Sequence, residues 1–244
     1  MKRLIQEMID DLLWPAVFIL FFWLTFFANE AYGWDLQQFG IAPRSLVGLR
    51  GILFSPFLHG NFGHLFSNTI PFLVSGTFVF HFFKLTSWRI LGLIWLISGF
   101  GTWLVGDFYS IHIGASGLVY GLVAFLLTSG IIRKNRNLAA VALILIFLYG
   151  SMVWGLFPQI RWTGENISWE GHLFGALGGA VLAWFYRHDG PEDEPEVDEN
   201  DLEEMPEWWI RMQEEERIQR ELEELQKRQQ TPRIVFRYKK RDEE

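Results

Sequence analysis

A serine and a histidine far apart in the sequence have the side chains of a nucleophile and its base. Ser116 lies in the run Gly114-Ala115-Ser116-Gly117, and His172 lies in a later apolar segment. A neutral imidazole within hydrogen-bond reach of a hydroxyl is the minimum arrangement that activates a serine nucleophile. The pair therefore indicates acyl-transfer chemistry if the fold brings the two side chains together. Alternatively, Ser116 is a packing residue and His172 makes a structural hydrogen bond between helices.

A second group of polar residues precedes this pair. His64 and Asn68 are four residues apart, so they lie on one face of a helix, and His59 lies in the loop before it. With the Ser116 backbone N–H, an Asn amide and a His N–H could stabilise the oxyanion that forms when serine attacks a carbonyl. Helix capping and solvation at the membrane interface would explain the same residues. His59, His64 and His172 would also suit a metal ion if they converged. Since no carboxylate ligand accompanies these histidines, we expect no metal. We also expect no cofactor.

Two rows of glycines predict how the serine and the histidine meet. Small residues at four-residue spacing mark close helix contacts in membranes. One row consists of Gly117 and Gly121, and the other of Gly171, Gly175 and Gly179. His172 lies on the same face as the last two glycines, so contact between the rows would bring it towards Ser116. Tyr120, one turn after Ser116, would then pack against the imidazole.

The first 187 residues have the composition of a membrane domain. They hold 8 acidic and 11 basic residues, too few charges to cover a water-facing surface, and the chain has no Cys for a disulfide or for thiol catalysis. A transmembrane helix needs about 20 mostly apolar residues. Segments that fit are 12–31, 64–83, 88–106, 113–130, 138–157 and 169–186. We therefore predict an all-α, polytopic membrane domain with six transmembrane helices in residues 1–187.

The distribution of positive charge predicts the orientation of this domain. Of its Lys and Arg residues, 8 fall on the side of the N-terminus and 3 on the opposite side. The positive-inside rule then places both termini in the cytoplasm. No small-residue cleavage site follows the first segment, so we expect it to be retained as a span in a bacterial inner membrane.

Residues 188–244 form a charged tail with 20 acidic and 10 basic residues. Pro191 and Pro195 lie in an acidic stretch that predicts a solvated linker. Within residues 206–230, the spacing of Ile218, Leu222 and Leu225 suits a short amphipathic helix. We predict a cytoplasmic tail that is partly helical or disordered.

Three sequence motifs fall on or just before the second, fourth and sixth predicted spans. They are Ser55-Pro56-Phe57-Leu58-His59-Gly60-Asn61-Phe62-Gly63-His64-Leu65-Phe66-Ser67-Asn68, Gly114-Ala115-Ser116-Gly117-Leu118-Val119-Tyr120 and Gly171-His172-Leu173-Phe174-Gly175. Together these motifs resemble the rhomboid family of intramembrane serine proteases. The resemblance implies that Ser116 is the nucleophile and His172 its base, in a dyad without an acidic third member.

The same resemblance implies roles for the residues around the dyad. His64 and Asn68 would help to form the oxyanion site, with His59 beside it, and Tyr120 would stack under the histidine. The predicted site also includes two glycines that flank the serine, Gly114 and Gly117.

The predicted function is therefore an intramembrane serine endopeptidase that forms a covalent acyl-enzyme. Its expected partners are transmembrane protein substrates and the lipid bilayer, and no nucleic acid. The alternative is a catalytically silent membrane chaperone or adaptor on the same scaffold, although the retained Ser116 and His172 argue against it. A channel or transporter, which would need charged residues along a path through several spans, is disfavoured. The sequence leaves the oligomeric state open.

Overall fold

The computed structural model of the protein describes residues 2–149, 151–157 and 168–190, together with scattered residues between 209 and 222. The chain divides into two compact units, residues 1–194 and 195–244. In the described ranges of the first unit all regular structure is helical, apart from one β-bridge between Ile41 and His112. The predicted all-α fold is confirmed, whereas the predicted domain boundary after residue 187 stays a prediction.

Six helices of 13 to 31 residues occupy the positions of the six predicted spans. In chain order the helices are α1 (Lys2–Tyr32), the single turn α2 (Gly51–Phe54), α3 (Phe62–Phe82), α4 (Ser87–Val105), α5 (Ser116–Ile132), α6 (Arg136–Leu148), the single turn α7 (Ser151–Trp154) and α8 (Trp169–Phe185). Three of them are long and apolar enough to cross a bilayer: Ile9–Tyr32 of α1, and the whole of α3 and α4. The chain is therefore an integral membrane protein, and the crossing of the other three helices stays a prediction.

The fifth predicted span is not one helix. We predicted a continuous span over residues 138–157, but α6 ends at Leu148 and α7 follows as a separate turn. Tyr149 leaves the helical region, with φ −109° and ψ 58°, and it is followed in the sequence by Gly150 and Ser151, which are poorer helix formers than the leucines before them. The break has a chemical consequence, because carbonyls beyond α6 are no longer all taken up by helix hydrogen bonds.

Helix α5 lies at the centre of the helical unit and packs against α8, α6, α3 and α4. Most apolar side chains in its first three turns are almost fully buried, among them Leu118, Leu122, Phe125 and Leu126, whereas Ile131 in its last turn is exposed. A helix that is hydrophobic all round is expected in such a position. The first residue of this buried helix is Ser116.

The contact between α5 and α8 is made by backbone. A Cβ atom on Gly175 would overlap the carbonyl of Gly117, and a Cβ atom on Gly179 would overlap the carbonyl of Gly121. Glycine is therefore needed where α8 crosses α5, since any side chain would push the two helices apart. The predicted contact between the two glycine rows is confirmed. It brings the start of α8 beside the start of α5.

The loop between α1 and α3 is a run of short helical turns held against α4. Trp95 donates its ring N–H to the carbonyl of Ile52 at 2.6 Å, and Trp103 donates its own to the carbonyl of Ser45 at 2.9 Å. The β-bridge joins the same loop to the segment before α5 through two backbone hydrogen bonds of 2.9 Å between Ile41 and His112. The loop is thereby fixed to the approach to Ser116.

The described residues of the second unit are helical. They include Trp209, Arg217 and Leu222, in the stretch where the sequence predicts an amphipathic helix. Arg217 donates to the carboxylate of Glu214, one turn earlier, at 2.6 Å. The predicted linker covers residues 188–204, and its part from residue 191 lies outside the described residues, as does the chain after residue 222.

Candidate active site

Ser116 and His172 are in hydrogen-bond contact. The Oγ atom of Ser116 lies 2.7 Å from Nε2 of His172. Ser116 opens α5 and is half-buried, and His172 lies in the first turn of α8 and is buried. The contact that the glycine rows predict is therefore present, and its distance suits proton transfer between the hydroxyl and the imidazole.

The second ring nitrogen of His172 determines which way that hydrogen bond runs. Nδ1 lies 2.9 Å from the carbonyl oxygen of Gly155, just after α7. A carbonyl only accepts hydrogen bonds, so Nδ1 carries the proton in the neutral ring. Nε2 then has a free lone pair and accepts from the Ser116 hydroxyl. This is the tautomer that a general base requires.

Tyr120 fixes the plane of the imidazole. Its ring is stacked on that of His172 with centroids 4.1 Å apart and an angle of 4° between the planes. A Cβ atom on Gly155 would overlap the Tyr120 hydroxyl, so only glycine allows this close approach. The predicted packing of Tyr120 on the histidine is confirmed. Gly155 was not predicted, because an acceptor on the main chain leaves no side-chain signal in the sequence.

Gly114, two residues before Ser116, is in contact with His64. Gly114 has φ +110°, a conformation that side chains rarely adopt, and its N–H donates to the carbonyl of Ser55 at 2.8 Å. A Cβ atom there would lie 2.5 Å from Nε2 of His64, so the imidazole lies directly on the glycine backbone. The ring of His64 is thereby held against Gly114, which precedes Ser116 by two residues.

Asn68 and His59 both contact His64. Asn68 is buried and donates its amide to the carbonyl of His64 at 2.9 Å, so this hydrogen bond stays within α3. The ring of His59 lies 5.1 Å from that of His64 and 5.5 Å from that of Phe22. Burial, with the nearby His64, lowers the pKa of His59 to about 3. His59 is therefore a neutral buried ring that packs beside His64.

A small polar cavity lies next to Ser116, between the starts of α5 and α8 and the second half of α4. Its volume is about 30 Å³, enough for at least one water molecule. Polar groups in its wall come from Ser98, Thr102, His112 and Ser168. None of these residues was predicted. The spacing of Ser98 and Thr102 by one helical turn in an apolar segment is the signal that could have revealed them.

His112 and Glu170 are two further buried polar residues that the sequence did not indicate. His112 is 9% exposed, and its Nδ1 lies 2.8 Å from the Ser168 hydroxyl. Burial lowers the pKa of His112, and the carboxylates of Glu170 and Asp107 oppose that shift. Glu170 is 6% exposed, and one of its carboxyl oxygens has no hydrogen-bond partner among the described residues.

Comparison with known proteins relates this arrangement to a family. Residues 48–189 match the family model described as Rhomboid domain, a range that includes every predicted site residue. The chain is 39% identical over 175 residues to an uncharacterized protein of Mycobacterium tuberculosis, an alignment that covers 68% of this chain and 71% of the relative. It is 37% identical over 156 residues to an uncharacterized protein of Mycobacterium leprae, covering 62% of this chain and 61% of the relative. RHOMBOID-like protein 1 of Arabidopsis thaliana is 28% identical over 137 residues, covering 53% of this chain and 32% of the plant protein.

Proposed function

This chain belongs to the rhomboid family, and on that premise we propose that it is a serine endopeptidase that cleaves transmembrane segments of other membrane proteins. The observation that carries the proposal is the 2.7 Å contact between Ser116 and a His172 whose other nitrogen is bound to a carbonyl. A serine that only packs would not need a base in the correct tautomer.

The first half of the reaction is acylation. The Ser116 oxygen attacks the carbonyl carbon of the scissile peptide bond while its proton passes to Nε2 of His172. The imidazolium is stabilised by its Nδ1–H bond to the Gly155 carbonyl, 2.9 Å away. When the tetrahedral intermediate collapses, the same proton passes to the leaving amine. The C–N bond breaks, and the acyl group stays on the serine.

The oxyanion of the intermediate would be stabilised at the start of α5. The first hydrogen bond of this helix runs from the N–H of Val119 to the carbonyl of Ala115, so the N–H groups of Ser116 and Gly117 have no acceptor within the helix. These donors lie at the positive end of the helix dipole. The imidazole of His64, resting on Gly114, adds a side-chain donor from α3, and Asn68 holds the carbonyl of that residue.

The second half of the reaction is hydrolysis of the acyl-enzyme. His172, neutral again, takes a proton from water as the water oxygen attacks the acyl carbon of the ester. The bond between this carbon and the Ser116 oxygen then breaks, the proton passes from His172 to the serine, and the product leaves as a carboxylic acid. Lipid excludes water, so a source is needed next to the serine. The polar cavity beside Ser116 has room for it and offers the hydroxyls of Ser98 and Thr102 as partners.

The surroundings of the dyad support the proposed substrate class. Ser116 and His172 each lie at the first residues of a helix in an integral membrane protein, so the dyad lies near one end of the helical bundle. A transmembrane substrate has its backbone hydrogen bonds satisfied internally and must unwind locally before attack. Cleavage near the membrane boundary, on the side opposite the cytoplasmic termini, is the arrangement we propose.

Labelling of the detergent-solubilised chain with a fluorophosphonate probe tests this function. We expect covalent labelling that is abolished in Ser116→Ala and strongly reduced in His172→Ala, because the probe reacts only with an activated serine. Ser129→Ala is a matched control, since Ser129 lies in the same helix about 20 Å further along. Absence of labelling in the folded wild type would instead support the catalytically silent adaptor.

A further inference from the structure

His112 and Ser168 form a second histidine–serine contact beside the dyad, and the proposed function leaves it without a role. We propose that this pair is a positioning pair, which holds the start of α5 against the start of α8 and so sets the approach of Ser116 to His172. The inference rests on the proposed function, because the positioning is towards that reaction. Neither residue touches the reacting atoms.

The placement of the two contacts along the chain carries the inference. Nδ1 of His112 lies 2.8 Å from the Ser168 hydroxyl, and Nε2 of His172 lies 2.7 Å from the Ser116 hydroxyl. Both contacts join residues 56 positions apart. Each member of the first pair therefore precedes a member of the dyad by four residues. The two chain segments that contain the nucleophile and the base are therefore joined by two side-chain contacts, which lie four residues apart in each segment.

Ser168 uses its hydroxyl in an unusual way. It is the N-cap residue of α8, and a serine at that position normally accepts from a backbone N–H of the first helical turn. Here the side chain makes no such cap hydrogen bond, and the hydroxyl meets His112 instead. Its carbonyl accepts from the backbone N–H of His172 at 3.3 Å. Ser168 is thus joined to His112 through its side chain and to His172 through a backbone hydrogen bond.

His112 is itself fixed on two sides. Its backbone N–H and carbonyl both bond to Ile41 of the first loop, each at 2.9 Å. Its ring is buried against Gly106, where a Cβ atom would lie 2.9 Å from Nε2. The charged groups that face it are Glu170 on α8 and Asp107 on its own loop. A ring held in this way cannot move without moving the segment that leads to Ser116.

A double-mutant cycle on the full-length protein tests the inference through the rate of fluorophosphonate labelling. We expect His112→Ala and Ser168→Ala each to be labelled about tenfold more slowly, the effect of leaving one buried polar group without its partner. The double variant should be no slower than the slower single variant, because both changes remove the same contact. Ser168→Thr, which keeps the hydroxyl, should recover most of the rate.

The matched control is Ser110→Ala, which removes a half-buried hydroxyl whose one hydrogen bond among the described residues goes to Asp107 of its own loop. We expect it to be labelled at the wild-type rate. Rates that multiply in the double variant, or a Ser168→Thr variant as slow as Ser168→Ala, would overturn the positioning pair. Ser168→Ala removes a single oxygen, so it keeps the test available if His112→Ala does not fold.

A second measurement needs no catalytic activity. The chain has no cysteine, so Ser116→Cys with His172→Cys introduces the only two thiols. We expect a short bis(methanethiosulfonate) cross-linker, which forms a disulfide with each thiol and releases methanesulfinate, to join them several-fold more slowly when Ser168→Ala or His112→Ala is added. Equal cross-linking rates would overturn the inference. If the wild type is not labelled while the double-cysteine protein shows this slowing, the proposed function is refuted and the positioning pair stands.

Discussion

Replacing Gly155 by alanine perturbs the hydrogen bond that orients His172 without altering any catalytic side chain. The added Cβ atom would overlap the Tyr120 hydroxyl and lie 3.1 Å from Nδ1 of His172. The segment after α7 must therefore shift, and the Nδ1–H group is left buried without its acceptor. Such a loss costs about 1–3 kcal/mol, or more when the donor is charged. We expect labelling of Ser116 to slow by about ten- to a hundredfold.

The assay is the initial rate of fluorophosphonate labelling, with thermal unfolding measured in parallel to show that the variant folds. Gly92→Ala is the matched control, because a Cβ atom on Gly92 of α4 has nothing within 4 Å. Adding Tyr120→Phe removes the overlapping oxygen and keeps the stacked ring, so Gly155→Ala with Tyr120→Phe should be faster than Gly155→Ala alone.

Labelling of folded Gly155→Ala at the wild-type rate would refute this reasoning. It would mean that the carbonyl does not hold Nδ1 in the reactive state, and the assignment of the tautomer would fail with it. Failure of Tyr120→Phe to restore any rate would show that the alanine acts by another route than the overlap.

Two further predictions concern stability. Gly175→Leu places a side chain against the Gly117 carbonyl, so we expect overpacking of about 1–3 kcal/mol and a lower midpoint of thermal unfolding than in the control Gly92→Leu; equal midpoints would contradict the backbone contact. The pKa of His59 is lowered to about 3 in the folded protein, whereas the unfolded chain protonates near 6.5, so protons bind preferentially to the unfolded state and stability should fall as pH decreases from 6.5 towards 3. Between pH 6.5 and 5 the loss is about 1.6 kcal/mol, and His59→Phe should flatten the slope of the unfolding midpoint against pH. Parallel slopes for the variant and the wild type would contradict this prediction.

The sequence predicted the helical fold because apolar segments of about 20 residues are visible in composition alone. It also predicted the meeting of α5 and α8, since glycines at four-residue spacing have one physical use between membrane helices. The break after Leu148 was not predicted. Hydropathy depends on which residues a segment contains, whereas the break depends on the backbone angles of Tyr149, which an apolar residue adopts without changing the hydropathy of the segment.

The site was predictable where side chains carry it and not elsewhere. Ser116 and His172 were found because polar groups are rare in apolar segments. His112 was missed because it lies in a loop, where a histidine needs no explanation, and only the fold buries it. Gly155 contributes a main-chain carbonyl, which every residue has, so the sequence holds no trace of its role as a hydrogen-bond acceptor.

The contact between the glycine rows of α5 and α8 also determines which positions are sensitive to substitution. Gly179 is two turns along α8 from His172 and makes no contact with the dyad, yet its α-carbon faces the Gly121 carbonyl. A methyl group there would tilt α8 away from α5 and move the His172 imidazole away from the Ser116 hydroxyl. Such positions are sensitive although they lie far from the reacting atoms, because a side chain that separates two packed rigid helices at one end also displaces their other end.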